Sequence, residues 1–172
     1  MKNFKLTYKP YGEFCILIEW PSRIEPSIIQ DIISFDKLLK ENQKVKQTTI
    51  AYNSILVQLI GYSNYNIDLK STIGFENMVS NFKQLYKQER LENKTKQKCW
   101  EIPVCYDLDF GIDLEEISKT NNISISKIIE LHTQPNYLVY FLGFQPGFFY
   151  LGGLKQELNF PRRANTRLRL DE

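Results

Sequence analysis

The chain has 172 residues, of which 42% are hydrophobic and 24% charged, which is the range of soluble globular proteins and suits one ordinary domain or two small ones. Its 22 basic and 20 acidic residues leave a net charge of +2, too small a basic excess for a general nucleic-acid binder. No segment approaches the ~20 apolar residues of a membrane-spanning helix, and the start lacks the apolar core of a signal peptide. We therefore expect a cytoplasmic protein that binds neither nucleic acid nor membranes.

The cysteines and the missing metal motifs narrow the chemistry further. Cys15, Cys99 and Cys105 are an odd number without CxxC spacing, which argues against both a disulfide framework and a cysteine zinc site. Buried, reduced thiols are the expectation. HExxH, EF-hand and Cys/His cluster motifs are also absent from the sequence, so no metal site is predicted.

The first elements alternate between strand and helix. Residues 14–20 form a β-rich run between Gly12 and Pro21, which predicts a strand with a turn at each end. Pro26 suits the first turn of a helix, because its missing N–H needs no partner there. The apolar residues that follow recur at helical spacing and predict a stripe facing a sheet: Ile28, Ile29, Ile32, Phe35 and Leu39.

Two strands and a second helix follow. Residues 48–52 and 55–60 flank Asn53 and Ser54, which tolerate tight turns, so the pair is predicted to be a hairpin or one bent strand. A helix pattern begins near Gly74, with these apolar residues on one side: Phe75, Met78, Val79, Phe82, Leu85 and Tyr86. Residues 87–98 are charged and predict a solvated helix end and loop.

The order of these elements indicates a fold class. Residues 99–106 regain β character, and Pro103 there suggests an edge strand or a chain passing between domains. The order of strand, helix, two strands, helix and strand is the ferredoxin-like motif, in which two helices cover one face of a four-stranded antiparallel sheet. We predict a ferredoxin-like α+β domain over residues 1–98 and a second domain over residues 99–172.

The second domain begins with two short helices. Asp113 and Glu116 have the spacing of a capping box, and Ser124 can cap a second helix over residues 125–132. Asp107 and Asp109 stand beside Gly111 and are interpreted as turn formers rather than as a catalytic pair. From residue 137 onward the chain is strand-like and then rich in glycine, and residues 167–170 alternate like a half-buried strand.

His132 is the only histidine and the default acid–base candidate, because an unperturbed imidazole titrates near neutral pH. The alternative is structural, since a histidine in the last helical turn gains from the negative end of the helix dipole and often only packs there. Both interpretations stay open on position alone.

Residues 143–153 follow as a run of glycines and aromatic residues. Glycines let backbone N–H groups approach a ligand, and the neighbouring rings can wall a concave site: Phe144, Phe148, Phe149 and Tyr150. The alternative is a turn-rich β segment whose aromatic side chains belong to the core. The run is neither a Walker A loop nor a GxGxxG fingerprint.

Four arginines lie close together near the end of the sequence, at positions 162, 163, 167 and 169. The planar guanidinium suits carboxylate or phosphate groups, so an anionic ligand is one interpretation and a solvated strand face is the other. Arg167 and Arg169 would point outward together from a strand that buries Leu168 and Leu170. Arg162 is therefore the better ligand candidate.

Several of these segments together resemble the family of the 5-oxoprolinase B subunit, which also takes in a sporulation sensor-kinase inhibitor and "allophanate hydrolase subunit 1". The resemblance is dense from about residue 100 to 163. It rests on Ile-Pro-Val-x-Tyr at 102–106, Gly-x-Asp-Leu at 111–114, His132-Thr133, the motif Gly-Phe-x-Pro-Gly-Phe-x-Tyr-Leu-Gly-Gly at 143–153, and Pro161-Arg162. Residues 52–57 match more loosely, and the Tyr-Asp-Pro that usually follows is replaced by Gln-Leu-Ile at 58–60.

The resemblance implies a fold, which agrees with the element order. It implies an α+β protein with a small N-terminal domain followed by a cyclophilin-like β-barrel. Relatives continue past Pro161-Arg162 with a glycine-rich stretch and further strands, so the barrel is expected to be incomplete at the C-terminal side of this chain.

The resemblance also implies an activity. In such systems the B subunit works with a related barrel, the C subunit, and with an A subunit to open the lactam of 5-oxoproline to glutamate, using ATP (with magnesium) at the level of the complex. Carried over, His132 would be an acid or base and Arg162 would meet a carboxylate or phosphate. The substrate pocket would be shaped by Phe144, Pro146, Gly147, Phe148 and Tyr150.

Two other activities fit the same family. The protein would act as a regulatory protein that binds and inhibits a sensor histidine kinase, using the barrel surface without chemistry. The second alternative is the carboxyltransferase half-site of a urea-carboxylase-like system whose substrate is carried on biotin. That system would need other chains for the carboxylase and for the biotin attachment.

Overall fold

A computed structural model describes residues 4–61, 69–88, 98–163 and 165. The chain divides into two compact units. The first unit comprises residues 1–97 and 139–150, and the second comprises residues 98–138 and 151–172. The elements in chain order are β1 (Thr7–Tyr11), β2 (Cys15–Glu19), α1 (Pro26–Glu41), β3 (Val45–Ile50), β4 (Ser54–Leu59), α2 (Thr72–Lys87), α3 (Leu114–Asn121), α4 (Ile125–Thr133), β5 (Leu138–Leu142), β6 (Phe149–Gly152) and the 3-10 helix Gln156–Leu158.

An antiparallel four-stranded sheet with the order β1-β2-β4-β3 is the frame of the first unit. Alternate side chains of a strand point to opposite faces, and in the two central strands one set is buried: Ile16, Ile18, Ile55, Val57 and Leu59. The other set of these strands is partly exposed. This alternation fixes the register, since a slip of one residue would turn the buried set toward solvent.

The two long helices supply the other side of this core. The predicted stripe of α1 is confirmed, because Ile28, Ile29, Ile32, Phe35 and Leu39 are all buried, and α1 contacts β3 and β4. Helix α2 begins at a Ser71 cap whose hydroxyl accepts the N–H of Gly74 at 3.1 Å. It buries Met78, Val79, Phe82 and Tyr86.

A buried carboxylate joins the sheet to both helices. The Asp31 side chain accepts a hydrogen bond from Trp20 Nε1 at 2.8 Å and another from the Tyr86 hydroxyl at 2.5 Å. Phe35 packs edge-on against the Tyr86 ring, with ring centroids 4.9 Å apart. Asp31 is 3% exposed, and buried polar groups in proteins are held by such bonds. It therefore ties three elements of the first unit together.

The strand order differs from the prediction at one edge of the sheet. The strand, helix, two strands and helix of the prediction correspond to β2, α1, β3, β4 and α2. The fourth strand, however, is β1, which precedes them and pairs with β2 through a turn at Gly12 (φ +65°). The strand predicted at residues 99–106 is wrong, because the structure has no regular strand there. These residues have strand propensity, but a strand also needs a hydrogen-bonded neighbour.

The second unit is built on α3, α4 and the 3-10 helix. Its buried residues are Leu114, Ile128, Leu131 and Leu158, and Tyr106 packs against them. The Asn121 side-chain amide donates to the backbone carbonyls of Glu157 and Asn159 at 2.8 and 3.3 Å. This amide holds the 3-10 helix against the end of α3.

The predicted helix starts are confirmed with one change of role. Ser124 caps α4, and its hydroxyl accepts the N–H of Lys127 at 3.2 Å. Asp113 precedes α3 without a side-chain capping bond. Its carboxylate instead accepts a hydrogen bond from Arg163 Nη1 at 2.7 Å. The capping-box interpretation of Asp113 is therefore wrong, because an arginine from elsewhere in the sequence takes the carboxylate.

The remaining predictions concern the barrel, the cysteines, the loop and the last strand. The described residues contain four α-helices, a four-stranded and a two-stranded sheet, and no closed barrel. The cysteines are free thiols, but Cys99 and Cys105 are exposed and Cys15 is half-buried, so the expectation of buried thiols is wrong. Most of the predicted loop (residues 89–97) and the predicted strand at 167–170 lie outside the described residues. The division at residues 98 and 99 stays a prediction.

We expect Gly111→Ala to lower the free energy of unfolding by roughly 1–3 kcal/mol, the range for overpacking a filled site. A Cβ at position 111 would lie 2.9 Å from Leu114 Cγ and 3.3 Å from the Asp107 carbonyl oxygen. Gly143→Ala is the matched control, because its nearest neighbour is the Phe141 ring at 3.7 Å, an ordinary contact. Denaturant unfolding compares the two variants, and equal losses would contradict the packing argument.

Candidate functional site

His132 lies in the last turn of α4 and is half-buried. The Ser124 cap fixes where the helix begins, and burial of Ile128 and Leu131 fixes which side of it faces the core of the second unit. His132 follows Leu131 directly and therefore lies at the border between this core and solvent. A histidine at such a border is held by packing while part of its ring remains accessible.

Two tyrosines of the second unit flank this imidazole. The Tyr106 hydroxyl lies 2.5 Å from His132 Nδ1, and the two rings meet edge-on with centroids 5.9 Å apart. The Tyr137 hydroxyl donates to the His132 backbone carbonyl at 2.8 Å, and its ring centroid lies 5.7 Å from the imidazole. This last bond satisfies a carbonyl at the end of α4 that has no partner within the helix.

Burial acts on both of these phenols. It raises the pKa of Tyr106, because the charged phenolate loses hydration. Burial also raises the pKa of Tyr137, and the nearby Tyr106 adds to the effect. Both hydroxyls therefore keep their protons well above neutral pH.

The contact with Tyr106 distinguishes the two nitrogens of the His132 ring. Nδ1 is hydrogen-bonded to Tyr106, and in the described part of the chain no hydrogen bond reaches Nε2. A nitrogen held this way sets the role of the other one. The arrangement can present Nε2 to a ligand, which is the geometry that a proton-transfer residue needs.

The run of glycines and aromatic residues forms a hairpin made of β5 and β6. At its tip Phe148 N–H donates to the Gln145 carbonyl at 3.1 Å, with Pro146 and Gly147 between them. Gly147 has φ +81°, and proline followed by a residue of positive φ is the pattern of a type II turn. Pro146 and Gly147 therefore have a local structural reason for being in the sequence.

Aromatic rings line this hairpin in a continuous series. Phe141 stacks on Tyr150 with centroids 4.1 Å apart, Tyr150 meets Phe148 at 5.1 Å, and Phe148 meets Phe144 at 5.4 Å. We call Phe141, Tyr150, Phe148 and Phe144 the aromatic ladder. Phe144 is 83% exposed, and Phe148 and Tyr150 are each 39% exposed. The interpretation of these rings as core residues is therefore wrong.

The end of the aromatic ladder has an unusual backbone. Phe144 has φ +74°, in the left-handed region that bulky side chains rarely adopt. Such strain persists only where the surroundings impose it, and it is concentrated at functional positions. The strain and the exposure of Phe144 agree with a residue that contacts another molecule.

The two described arginines differ in their surroundings. Arg163 pairs with Asp113 at 2.7 Å and with Glu116 at 3.5 Å. Arg162 is exposed, and no described residue forms an ion pair with it. Arg167 and Arg169 lie outside the described residues. Arg162 thus remains available for an anion, as the sequence interpretation requires.

The candidate residues are distributed over both units. His132 and Arg162 belong to the second unit. The hairpin residues belong to the first: Phe144, Pro146, Gly147, Phe148 and Tyr150. The structure brings the ladder rings together and places His132 between two tyrosines, and the shared substrate site stays a prediction. Sequence reasoning missed the role of Tyr106, although Tyr106 ends the Ile-Pro-Val-x-Tyr segment.

The described residues hold neither a metal-binding cluster nor a membrane-spanning helix. Within 4–61, 69–88 and 98–163, no group of three or more His, Cys, Asp or Glu side chains could hold a metal ion. None of the helices in those ranges has the length and apolar character needed to cross a bilayer.

Known proteins resemble this chain in sequence and fold. The 5-oxoprolinase B subunit of Haemophilus influenzae is 28% identical over 92% of this chain and 69% of its own length. The Bacillus subtilis protein of the same name is 49% identical over 39% of this chain and 28% of its own length. A crystal structure of TTHA0988 superposes with a TM-score of 0.66 at 22% identity, over 89% of this chain and 28% of that one, which supports the fold alone.

The family assignment rests on the length of the match. The model of the family described as "Carboxyltransferase domain, subdomain C and D" matches residues 6–172, which is nearly the whole chain. The chain therefore belongs to the family of the carboxyltransferase domain, subdomain C and D.

Proposed function

We propose that this chain is the B subunit of an ATP-dependent 5-oxoprolinase and that His132 transfers a proton during opening of the lactam. The contact between the Tyr106 hydroxyl and His132 Nδ1 at 2.5 Å is the observation that carries the catalytic part. The names of the Haemophilus influenzae and Bacillus subtilis relatives support the choice of substrate.

The direction of proton transfer follows from the Tyr106 phenol. Burial raises its pKa, so the phenol keeps its proton at neutral pH, and in the proposal it is the donor in the contact with Nδ1, whose direction depends on the tautomer of the imidazole. A neutral imidazole whose Nδ1 accepts a hydrogen bond carries its own proton on Nε2. In this proposal His132 is therefore a donor at Nε2, which makes it the general acid for the leaving nitrogen.

A donor at this position suits the bond that has to break. Opening of the lactam adds water across the C–N bond, the carbonyl carbon gains an oxygen, and the ring nitrogen leaves with an added proton. The Nε2–H group of His132 supplies that proton to the nitrogen while Nδ1 takes the proton of the Tyr106 phenol, so the imidazole stays neutral, and the Tyr106 phenolate then regains a proton from the attacking water. Proton transfer by a positioned side chain contributes about 10²–10⁴-fold to rate.

The other candidate residues have binding roles in the proposal. Phe144, Phe148 and Tyr150 offer faces of the aromatic ladder to the ring of 5-oxoproline. Pro146 and Gly147 set the turn that presents them. Arg162 pairs with the carboxylate of the substrate through its planar guanidinium.

ATP enters the proposal only for the assembled complex. The described residues offer no group of acidic and histidine side chains for magnesium, and the sequence has no phosphate-binding loop of the Walker A type. In the proposal the nucleotide is bound at the level of the assembly with the A and C partners, as the resemblance implies.

We also propose the architecture that the resemblance implies, a ferredoxin-like domain followed by a cyclophilin-like barrel to which residues 99–172 contribute. Trp100, Ile102 and Val104 are all more than half exposed. Large apolar side chains exposed close together are typical of an interaction surface, which supports packing of this segment against further parts of a barrel.

A second candidate function rests on the exposed aromatic ladder. Exposed aromatic clusters are typical of protein interaction sites, so the ladder would also serve a protein that binds and inhibits a sensor histidine kinase. A carboxyltransferase half-site is the remaining alternative, and only the description of the family favours it.

Reconstitution separates these functions. The purified chain is combined with its A and C partners, and ATP-dependent release of glutamate from 5-oxoproline is measured with and without it. We expect release only when the chain is present. Unchanged turnover without the chain, together with inhibition of a sensor kinase by the chain, would replace the enzyme assignment with the regulatory one.

A further inference from the structure

Strand β1 has an open outer edge. Strand β1 lies at one end of the four-stranded sheet, and none of the strands among the described residues pairs with its outer side. Such an edge carries backbone N–H and C=O groups that can pair with another strand.

The hydrogen bonds of β2 show which residues of that strand face β4. Trp20 N–H donates to the Asn53 carbonyl at 2.8 Å, and Leu59 N–H donates to the Phe14 carbonyl at 2.7 Å. In an antiparallel ladder the bonded residues alternate along the strand. The even-numbered residues of β2 therefore bond to β4, and the odd-numbered residues bond to β1.

The same alternation continues into β1. Thr7 pairs with Glu19, and Lys9 pairs with Leu17, so Thr7 and Lys9 direct their backbone groups toward β2. Leu6 and Tyr8 then direct theirs outward. The open edge therefore offers a donor and an acceptor at each of two positions, two residues apart.

A groove of about 480 Å³ runs along this edge between β1 and α2. It is lined by Tyr8 of β1 and Leu6 just before that strand, and by Glu76, Ser80 and Lys83, among others, from the helix. The last three are exposed and stand at positions i, i+4 and i+7, on one face of α2. We call Glu76, Ser80 and Lys83 the α2 stripe, which has an acid at one end and a base at the other.

The charges of the α2 stripe are complementary to a reversed copy of the same stripe. In two antiparallel copies, Glu76 of each helix faces Lys83 of the other and Ser80 lies near the centre. Charge complementarity of this kind selects a partner and its orientation.

The spacing of the layers agrees with this arrangement. Strands pair at about 4.8 Å and helices pack at about 8–10 Å. Because two helices cover four strands, the helix nearer the β1 edge lies about half a helix-to-helix distance from that edge. A second copy joined at β1 therefore brings its α2 against α2 of the first copy.

We propose that a second copy of this chain pairs with the outer edge of β1 about a two-fold axis, forming a continuous sheet of eight strands from two four-stranded sheets. The α2 stripes of the two copies then lie against each other and form two Glu76–Lys83 ion pairs. The axis passes through Thr7, and Leu6 of each copy bonds to Tyr8 of the other.

This register is the one that pairs the outward backbone groups of both Leu6 and Tyr8. A shift in one direction sets Tyr8 against Phe4, whose N–H already donates to the Tyr86 hydroxyl at 3.2 Å. A shift in the other direction sets Leu6 against Pro10, which has no N–H. Only the register centred on Thr7 pairs both the N–H and the carbonyl of Leu6 and Tyr8 in each copy, because the shifted registers leave the carbonyl of Tyr8 or of Leu6 without a donor.

Charge reversal on the full chain tests the interface by sedimentation equilibrium. We expect a concentration-dependent dimer, which Glu76→Lys and Lys83→Glu each weaken about tenfold, because each reversal turns two ion pairs into two repulsions, and tenfold corresponds to a total change of about 0.7 kcal/mol at each of the two contacts. The double variant should recover the original affinity. A chain that stays monomeric, or a double variant as weak as the single ones, overturns the proposal.

Disulfide trapping tests the register without changing the charges. In a background with serine at the three native cysteines, Thr7→Cys should cross-link two copies under mild oxidation, because the axis sets position 7 opposite itself. Lys9→Cys is the control, since its two copies would lie about 13 Å apart, beyond the reach of a disulfide. Cross-linking at position 9 but not at position 7 overturns the register.

Discussion

Replacing His132 with alanine is expected to lower the rate of 5-oxoproline opening by about 10²–10⁴-fold in the reconstituted enzyme. The imidazole supplies the proton in the proposed step, and alanine has no group that can replace it. The effect should fall on kcat more than on KM, because proton donation to the leaving nitrogen develops only in the transition state. Steady-state kinetics of ATP-dependent glutamate release measures both constants.

Tyr106→Phe is the matched variant for this prediction. It removes the hydroxyl that contacts His132 Nδ1 but keeps the ring, and Tyr106 belongs to the half-buried packing of the second unit. We expect a smaller loss than for His132→Ala, because the donor remains but is no longer held in one tautomer. Thermal unfolding of both variants checks that the second unit is intact. Full activity of the His132 variant would remove this residue from the chemistry.

Replacing Asp31 with alanine is expected to destabilise the first unit strongly. The carboxylate of Asp31 accepts hydrogen bonds from Trp20 Nε1 and the Tyr86 hydroxyl, and its removal leaves both donors buried. An unsatisfied buried group costs about 1–3 kcal/mol, so the free energy of unfolding should fall by roughly 2–5 kcal/mol. Urea unfolding measures this value.

Two further variants separate the hydrogen bonds from helix propensity. Asp31→Asn keeps one oxygen that can accept, and we expect it to lose less than Asp31→Ala. Gln30→Ala changes the neighbouring exposed position of α1 and should alter the free energy of unfolding by no more than about 0.5 kcal/mol. If Asp31→Ala were no more harmful than Gln30→Ala, the buried network would not hold the first unit together.

The long helices were predictable because their signals are local. The stripe from Ile28 to Leu39 repeats at the period of an α-helix, and Pro26 marks its start, so no distant contact is needed to recognise it. β4 was predictable from the short apolar run at residues 55–60 beside Asn53 and Ser54, whereas the alternation that buries Ile55, Val57 and Leu59 is visible only in the structure. β1 was missed because its residues are mostly exposed and Pro10 weakens its strand pattern.

Other errors came from properties that depend on distant residues. The apolar residues at 100, 102 and 104 have the alternation of a strand, but a strand exists only with a bonded neighbour. Asp113 and Glu116 have the spacing of a capping box in the sequence, yet the Asp113 carboxylate pairs with Arg163, fifty residues later. A pattern along the chain cannot show which of two competing partners is closer in space.

The candidate site also has features that the sequence predicts and features that depend on distant residues. The type II turn at Pro146 and Gly147 is readable from the dipeptide itself, whereas the exposure of Phe144 is not. The position of His132 in the last turn of α4 was predicted from the helix pattern. Its contact with Tyr106 joins residues 26 positions apart, which helical spacing cannot reveal.

The tautomer of His132 is the most direct test of the proposed proton donor. Because the chain has one histidine, nitrogen NMR of the imidazole gives signals that need no assignment among several rings. At a pH where the ring is neutral, we expect a protonated Nε2 and an unprotonated Nδ1, and Tyr106→Phe should convert this into a mixture. A proton on Nδ1 in the unsubstituted protein, or spectra unchanged by Tyr106→Phe, would contradict a His132 held by Tyr106 as a donor.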